Sequence, residues 1–243
     1  MLPVVKMMAA GSEALPVASI SAREVLGEPK QAWQRGAGIC VGRRFPGIEW
    51  RVIRSVDGPI RSIEDAEEVE PGTIGELIVR GPVVTREYVT RVGWNELSKI
   101  ADPGGFWHRM GDVGHLDAID RFWFCGRVAH RVLAAHGTMY TIPCEAIFNQ
   151  HPRIFRSALV GVGEPGRQRP VIVCEPRPGQ MPRTAAERQS LGGELRSLAT
   201  AQEHTRVIEN FLFHTSFPVD IRHNAKIFRE QLAVWAARRL PPR

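Results

Sequence analysis

The stretch FPVDIRHNAKIFREQL, from Phe217 to Leu232, contains one lysine, Lys226, behind the polar run Arg222-His223-Asn224. Apolar spacing predicts a last amphipathic helix over 225–239, with Lys226 at its mouth. A helix N-terminus favours anions, so a cation there is poorly placed for a purely structural role. An ammonium on a flexible stem can instead meet a carboxylate or phosphate and supply positive charge where negative charge develops. Other reactive groups are sparse. The four cysteines, Cys40, Cys125, Cys144 and Cys174, lie far apart and form no CxxC pair. That pattern argues against a zinc ribbon or redox pair and reads as reduced, partly buried thiols. Two glycine-bearing segments, GVGEPG at 161–166 and GAGICVG at 36–42, do not place G-x-G-x-x-G between a strand and a helix. Both read as turns.

The elements that must position these groups fall into two kinds. From Gly36 to Tyr88 the chain reads as strands and turns. GIEWRVIRSV alternates apolar and polar positions, Asp57-Gly58 is a hairpin signal, and Pro71-Gly72 precedes a strand at Glu76–Arg80. A helix is expected at Ala22–Leu26, ended by Gly27 and Pro29. Phe106–Arg127 reads as a turn at Met110-Gly111-Asp112 followed by a hairpin with Ala118–Asp120 at its tip. Beyond Arg127 helices interleave with strands. Pro143–Pro152 reads as a short helix with proline at or near its first turn. SALVGVG, VIVCEP and IENFLFHTSFP read as strands, and 184–201 as an amphipathic helix capped by Thr184 with a weak spot at Gly192-Gly193. The expected fold class is α+β: a β-rich distorted-barrel subdomain over 1–125, then a small α+β lobe over 126–243.

Length, at 243 residues, permits a sizeable core and one or two domains, and 43% hydrophobic with 24% charged residues is ordinary for a globular chain. No apolar run approaches the roughly 18–20 residues that span a bilayer. The N-terminus lacks the order of a secretory signal, so cytoplasm is the default expectation. The net charge of +6 is spread thinly. No RNA-binding aromatic signature accompanies it, which reads against a nucleic-acid partner and leaves room for a smaller anion such as a nucleotide.

Five segments in order, TIGELIVRGPVVTREY, GFWHRMGDVGHLD, DRFWFCGRVAHRV, PCEAIF and FPVDIRHNAKIFREQL, resemble the adenylate-forming synthetase superfamily of acyl-CoA synthetases, adenylation domains and luciferases. Within it, HRMGDVG, FCGRVAHRV and FPVDIRHNAKI are most similar to the olefin-pathway β-lactone synthetases, long labelled fatty-acid CoA ligases. The resemblance covers Glu13 to about Ala236. It implies activation of a long-chain β-hydroxy fatty acid by ATP and Mg²⁺, with a β-lactone or a coenzyme A thioester as product. It also implies a missing front half. The superfamily's Ser/Thr/Gly-rich phosphate loop lies upstream of the point where this chain begins, so the chain resembles the last β-subdomain and mobile C-terminal lobe of such an enzyme. The resemblance then implies an N-terminal half or other pathway enzymes as partners and no activity for this piece alone.

Residue by residue, Lys226 matches the superfamily's catalytic lysine and Asp112 its nucleotide aspartate, whose carboxylate accepts from both ribose hydroxyls. Arg127 matches an arginine that touches ribose or phosphate and begins the hinge. Glu13 and Ser12, in AGSEALPV, match the segment that holds Mg²⁺ and sits by the phosphates. The adenine-stacking aromatic of that segment is replaced by Ala9. The hinge position usually held by Asp or Lys is Ala129, an uncharged residue that the β-lactone subgroup also shows. His130, Arg131 and His223 are candidates for polar contacts in a closed state, although a lone histidine is more often structural.

Overall fold

The computed structural model describes residues 6–11, 13–220 and 223–241, with side chains described for 13–220 and 226–241. The chain divides into two units, Met1–Trp33 with Ala37–Ala129, and Gln34–Gly36 with His130–Arg243.

The first unit is a curled antiparallel sheet with short helices. Its strands are β1 (Lys6–Gly11), β2 (Ala14–Ser21), β3 (Ile39–Arg44), β4 (Glu49–Ile53), β5 (Gly75–Arg80), β6 (Lys99–Asp102), β7 (Gly105–Leu116) and β8 (Phe122–Arg127). They run in the order β1-β2-β3-β8-β7-β5-β4, with β6 paired to the start of β7. The unbroken apolar run of β5 is explained by burial on both faces. Leu77 and Val79 pack with Trp50, Val52 and Phe122, while Ile78 packs with Ile53, Ile100 and Trp107. Each such aliphatic side chain contributes roughly 1.5–3 kcal/mol by leaving water. Helix α1 (Ala22–Val25) is closed by a capping box between Ser21 and Glu24. Pro29 does not end that helix but lies, buried, in the first turn of α2 (Glu28–Gln34), where its missing N–H is harmless. Helix α3 (Gly93–Ser98) leads into β6.

Two turn expectations fail here. β4 pairs with β5, so Asp57-Gly58 is not a two-residue hairpin but part of a long excursion. Arg109 secures that excursion by donating to the carbonyls of Val56 and Gly58, at 2.8 and 2.5 Å. Met110-Gly111-Asp112 is not a turn either. It lies inside β7, where Arg109 and Val113 oppose Ile78 and Glu76. The extra residues are absorbed as a bulge at Gly111, whose φ of 65° is cheap for glycine alone.

The second unit is layered. A hairpin of β9 (Val132–Ala134) and β10 (Gly137–Met139) leads to α4 (Thr141–Phe148). β11 (Ile154–Val162) and β12 (Arg169–Pro176) are antiparallel, and α5 (Ala185–Thr200) crosses over to β13 (Asn210–Phe213), which is parallel to β12. Period-two alternation sends Leu159 and Ile172 toward Phe148, Leu191 and Leu195 on one face. Val160, Val171 and Val173 pack with Phe217, Leu232 and Ala236 on the other. The capping box of Thr184 and Glu187 starts α5, and Gly192-Gly193 leaves the helix unbroken. The chain ends in β14 (Val219–Asp220), β15 (His223–Ile227) and α6 (Arg229–Ala237).

The position of Lys226 is therefore corrected. It belongs to β15, in a two-stranded ribbon with β14, and helix α6 starts three residues later at Arg229. The apolar residues Phe217 and Leu232 meet in one core and bracket the ribbon, which is why one helical period could be read through it.

Candidate functional site

Two adjacent strands of the first unit bring Asp112 and Arg127 face to face, since the two residues are direct partners in the β7–β8 register. The Arg127 Nε lies 2.9 Å from Asp112 Oδ1, and its Nη1 donates to the Met110 carbonyl at 3.2 Å. Close as it is, the Nε contact lacks hydrogen-bond alignment, and Asp112 Oδ1 is a buried acceptor without a donor among the described residues. Burial drives the Asp112 carboxyl up to about 6. Arg127 opposes the rise, and the charges of Glu76 and Glu13 add to it. An ionised carboxylate placed this way has lone pairs for a pair of vicinal hydroxyls.

Behind it sits a feature the sequence reading did not single out. Arg109 makes a buried pair with Glu76, Nη2 to Oε2 at 2.6 Å, and also donates to three backbone carbonyls, those of Val56, Gly58 and Leu97. It ties β7 and β5 to their flanking loops directly beside the Gly111 bulge. An arginine one residue before Met110 was the available signal.

Glu13 occupies the turn between β1 and β2. The Tyr88 hydroxyl donates to its Oε1 at 3.0 Å, and the Thr85 amide donates to its carbonyl at 2.8 Å. Lys99 donates to the Thr85 carbonyl and lies 4.7 Å from the Phe106 ring. Burial lowers the Lys99 ammonium to about 8, with Glu13 opposing. Burial also lowers His108 to about 4, and burial with the Glu13 bond raises Tyr88 to about 12. Tyr88, Lys99 and His108 were not read as site residues; only the fold gathers them near Glu13. Among the described residues no three His, Cys, Asp or Glu side chains cluster as a metal cage. Magnesium, however, is commonly held by one or two carboxylates plus substrate phosphates and water, and the oriented Glu13 carboxylate fits that donor pattern. Ser12 lies outside the described residues, and of Ala9 only the backbone pairing with Ala18 is described.

In the second unit Lys226 is exposed on β15. Ala129 sits in a 3-10 turn at Val128–His130, immediately after β8. His130 Nε2 lies 3.4 Å from Glu230 Oε1, and the His223 side chain lies outside the described residues. The structure thus pairs Asp112 with Arg127 and places Glu13 within their electrostatic reach, while Lys226 belongs to the other unit.

The fold is the one that solved adenylate-forming enzymes share. No family model matches the chain. Over 231 residues, 93% of its length, the chain is 45% identical to an olefin β-lactone synthetase of Xanthomonas campestris pv. campestris, covering 41% of that protein. It is 41% identical over 237 residues, 96% of its length, to the olefin β-lactone synthetase of Stenotrophomonas maltophilia, covering 42% of it. The o-succinylbenzoate coenzyme A synthetase of Bacillus subtilis, solved with ATP and magnesium ion, superposes with a TM-score of 0.70 at 20% identity, over 94% of this chain and 41% of that one. The chain is a homologue of the olefin β-lactone synthetases over nearly all its length and shares its fold with adenylate-forming enzymes. It spans about two fifths of the length of the curated relatives it matches. No helix among the described residues is long and apolar enough to cross a membrane.

Proposed function

We propose that the chain supplies part of the active site of an AMP-forming synthetase that activates a long-chain β-hydroxy fatty acid and closes it to a β-lactone. In the first step a carboxylate oxygen attacks the α-phosphorus of ATP, the bond to the β-phosphate bridge breaks, and pyrophosphate leaves. In the second step the β-hydroxyl oxygen attacks the acyl carbon. The bond to AMP breaks, the hydroxyl proton is released, and the four-membered lactone forms. Asp112 accepts from the ribose hydroxyls and holds the nucleotide in register. Arg127 contributes positive charge at the ribose or phosphate. Lys226 offers its ammonium to the reacting carboxylate and the α-phosphate oxygens, where charge accumulates in the transition state. Glu13, oriented by Tyr88, would hold Mg²⁺, which when bound neutralises phosphate charge. The turn at 128–130, containing Ala129, serves as the hinge between the regions 1–125 and 126–243.

The observation that carries this reading is the buried Asp112 oxygen, which has no donor among the described residues yet stands beside Arg127 in a chain 45% identical to an olefin β-lactone synthetase. Its test joins this chain to the part of the Xanthomonas relative that the match does not cover. Pyrophosphate exchange is then measured with ATP and a 3-hydroxy fatty acid, and products are identified by mass spectrometry. Exchange with lactone formation supports the proposal. Exchange with consumption of added coenzyme A and no lactone replaces it with thioester synthesis, and no exchange above a Lys226→Ala control overturns it.

A further inference from the structure

Lys226 rides on a ribbon too small to hold its own shape. β14 has two residues and β15 five, and an isolated two-stranded hairpin is at best marginally stable in water. Val219 and Ile227 pack the ribbon on the core, and its entry and exit each meet a buried carboxylate from elsewhere in the unit. At the entry, the Phe217 amide donates to Glu175 Oε2 at 2.7 Å, and the same oxygen accepts from Arg156 Nε at 2.8 Å. At the exit, Arg229 follows Lys226 by three residues and forms a bidentate pair with Glu145 of α4, Nη1 to Oε1 at 2.5 Å and Nη2 to Oε2 at 3.0 Å. Glu145 Oε1 also accepts from the Leu159 amide of β11 at 2.8 Å. The Phe228 amide closes the base of the ribbon on the Pro218 carbonyl at 2.9 Å.

Glu145 is out of character for its helix. Every other buried residue of α4 is apolar or a threonine, and Glu145 itself is only 5% exposed. A carboxylate is costly to bury without a matched cation, and a planar guanidinium matches it in two parallel bonds where an ammonium offers a point charge. The position of that cation is what matters: at the first residue of α6, a short lever from Lys226.

We propose that Glu145 and Arg229 are positioning residues for Lys226, a buried clamp that sets where the β15 ribbon holds its ammonium. This inference rests on the reading of Lys226 as catalytic and deepens it. The clamp does not touch substrate. It acts by restricting the ribbon, so its contribution vanishes when the ammonium is removed.

A double-mutant cycle in the joined enzyme reads this directly. Glu145→Gln and Arg229→Lys should each lower kcat for pyrophosphate exchange about tenfold, a typical size for coupled neighbours, while KM for ATP stays unchanged. In a Lys226→Ala background neither should lower it further. Equal fold-losses in both backgrounds would mean a merely structural pair and would sink the idea. A second measurement does not depend on activity. In the chain itself, Arg229→Lys should speed amide hydrogen exchange at 223–227 about tenfold while β11 and β12 keep their protection. No change at 223–227, or a uniform rise across the unit, overturns the proposal even if Glu145→Gln fails to fold. If the joined enzyme shows no exchange at all while the ribbon amides respond as expected, the functional reading has failed and the clamp has not.

Discussion

The two regions proposed to meet a nucleotide are built to opposite specifications. Asp112 lies in the longest strand of the chain, flanked by paired strands on both sides, with its neighbour Val113 fully buried. Lys226 lies on a five-residue strand paired with only two residues, with its side chain in solvent. The first region is held along its whole length by a sheet and by the Arg109–Glu76 pair. The second is a short ribbon whose entry meets Glu175, whose exit meets Glu145, and whose Val219 and Ile227 pack on the core below. A group that fixes a sugar in register must not move, and a central strand provides that. A group that brings charge to a reacting centre can ride on a light element, provided its ends are set. The Arg109–Glu76 and Arg229–Glu145 pairs therefore do different work: one stiffens a sheet, the other aims a ribbon.

The largest loss of stability is expected at Arg109. Arg109→Met strands the Glu76 carboxylate and three carbonyls, and unfolding of the first unit should cost about 3–5 kcal/mol less in a denaturant titration. Lys226→Ala should do the reverse. The side chain is exposed, so the unfolding midpoint stays put, while the barrier to pyrophosphate exchange in the joined enzyme rises by about 2.7–4 kcal/mol. A change in unfolding midpoint for Lys226→Ala would show that the ribbon is not separable from its lysine.

Gly111→Ala should have a smaller effect. A Cβ there meets no atom within 4 Å, so only the positive φ is penalised, and the loss of stability should be about 1–2 kcal/mol. A larger loss would mean that the bulge collapses rather than strains. The Asp112 carboxyl should titrate near 6 rather than near its ordinary 3.8, as followed by carboxyl carbon NMR. The sign follows from the raised value. Stability from the protonated form is complete below the unfolded value of 3.8 and is lost as pH rises through about 6. Nucleotide affinity should move the other way and weaken as pH falls below 6, because only the carboxylate accepts both hydroxyls. Arg127→Gln should push the midpoint higher still. The smallest effect belongs to the exposed Arg54–Glu67 pair at 2.5 Å, where solvent screening should leave the unfolding midpoint of Arg54→Ala unchanged.

Much of this organisation is visible in the residues. Alternation marked β4, the apolar run marked β5, Thr184 with Glu187 marked the start of α5, and the pairing of Phe122–Cys125 behind a tip at 118–120 marked the β7–β8 hairpin. Errors arose where a local signal had two valid outcomes. A glycine with φ of 65° serves a turn or a bulge equally well, and the partner strand β5 decided for the bulge. Asp57-Gly58 suits a hairpin, but Arg109, 51 residues beyond Gly58, holds it in a longer excursion. Pro29 ends one helix or begins the next with the same φ. The residues gathered near Glu13 and the Glu145–Arg229 pair carried no local signal at all.

The order of residues was enough for most element types, for the apolar run of β5 and the alternation of β4, and for suspecting Asp112, Arg127 and Lys226, because these depend on propensity, periodicity and motif over a few neighbours. Tertiary structure alone decided that Lys226 stands on a strand, that Asp112 faces Arg127 across a register, and that Arg229 reaches Glu145 from 84 residues away. Those outcomes turn on which distant segment supplies the partner for a hydrogen bond or a buried charge, and burial makes the wrong partner too costly to keep.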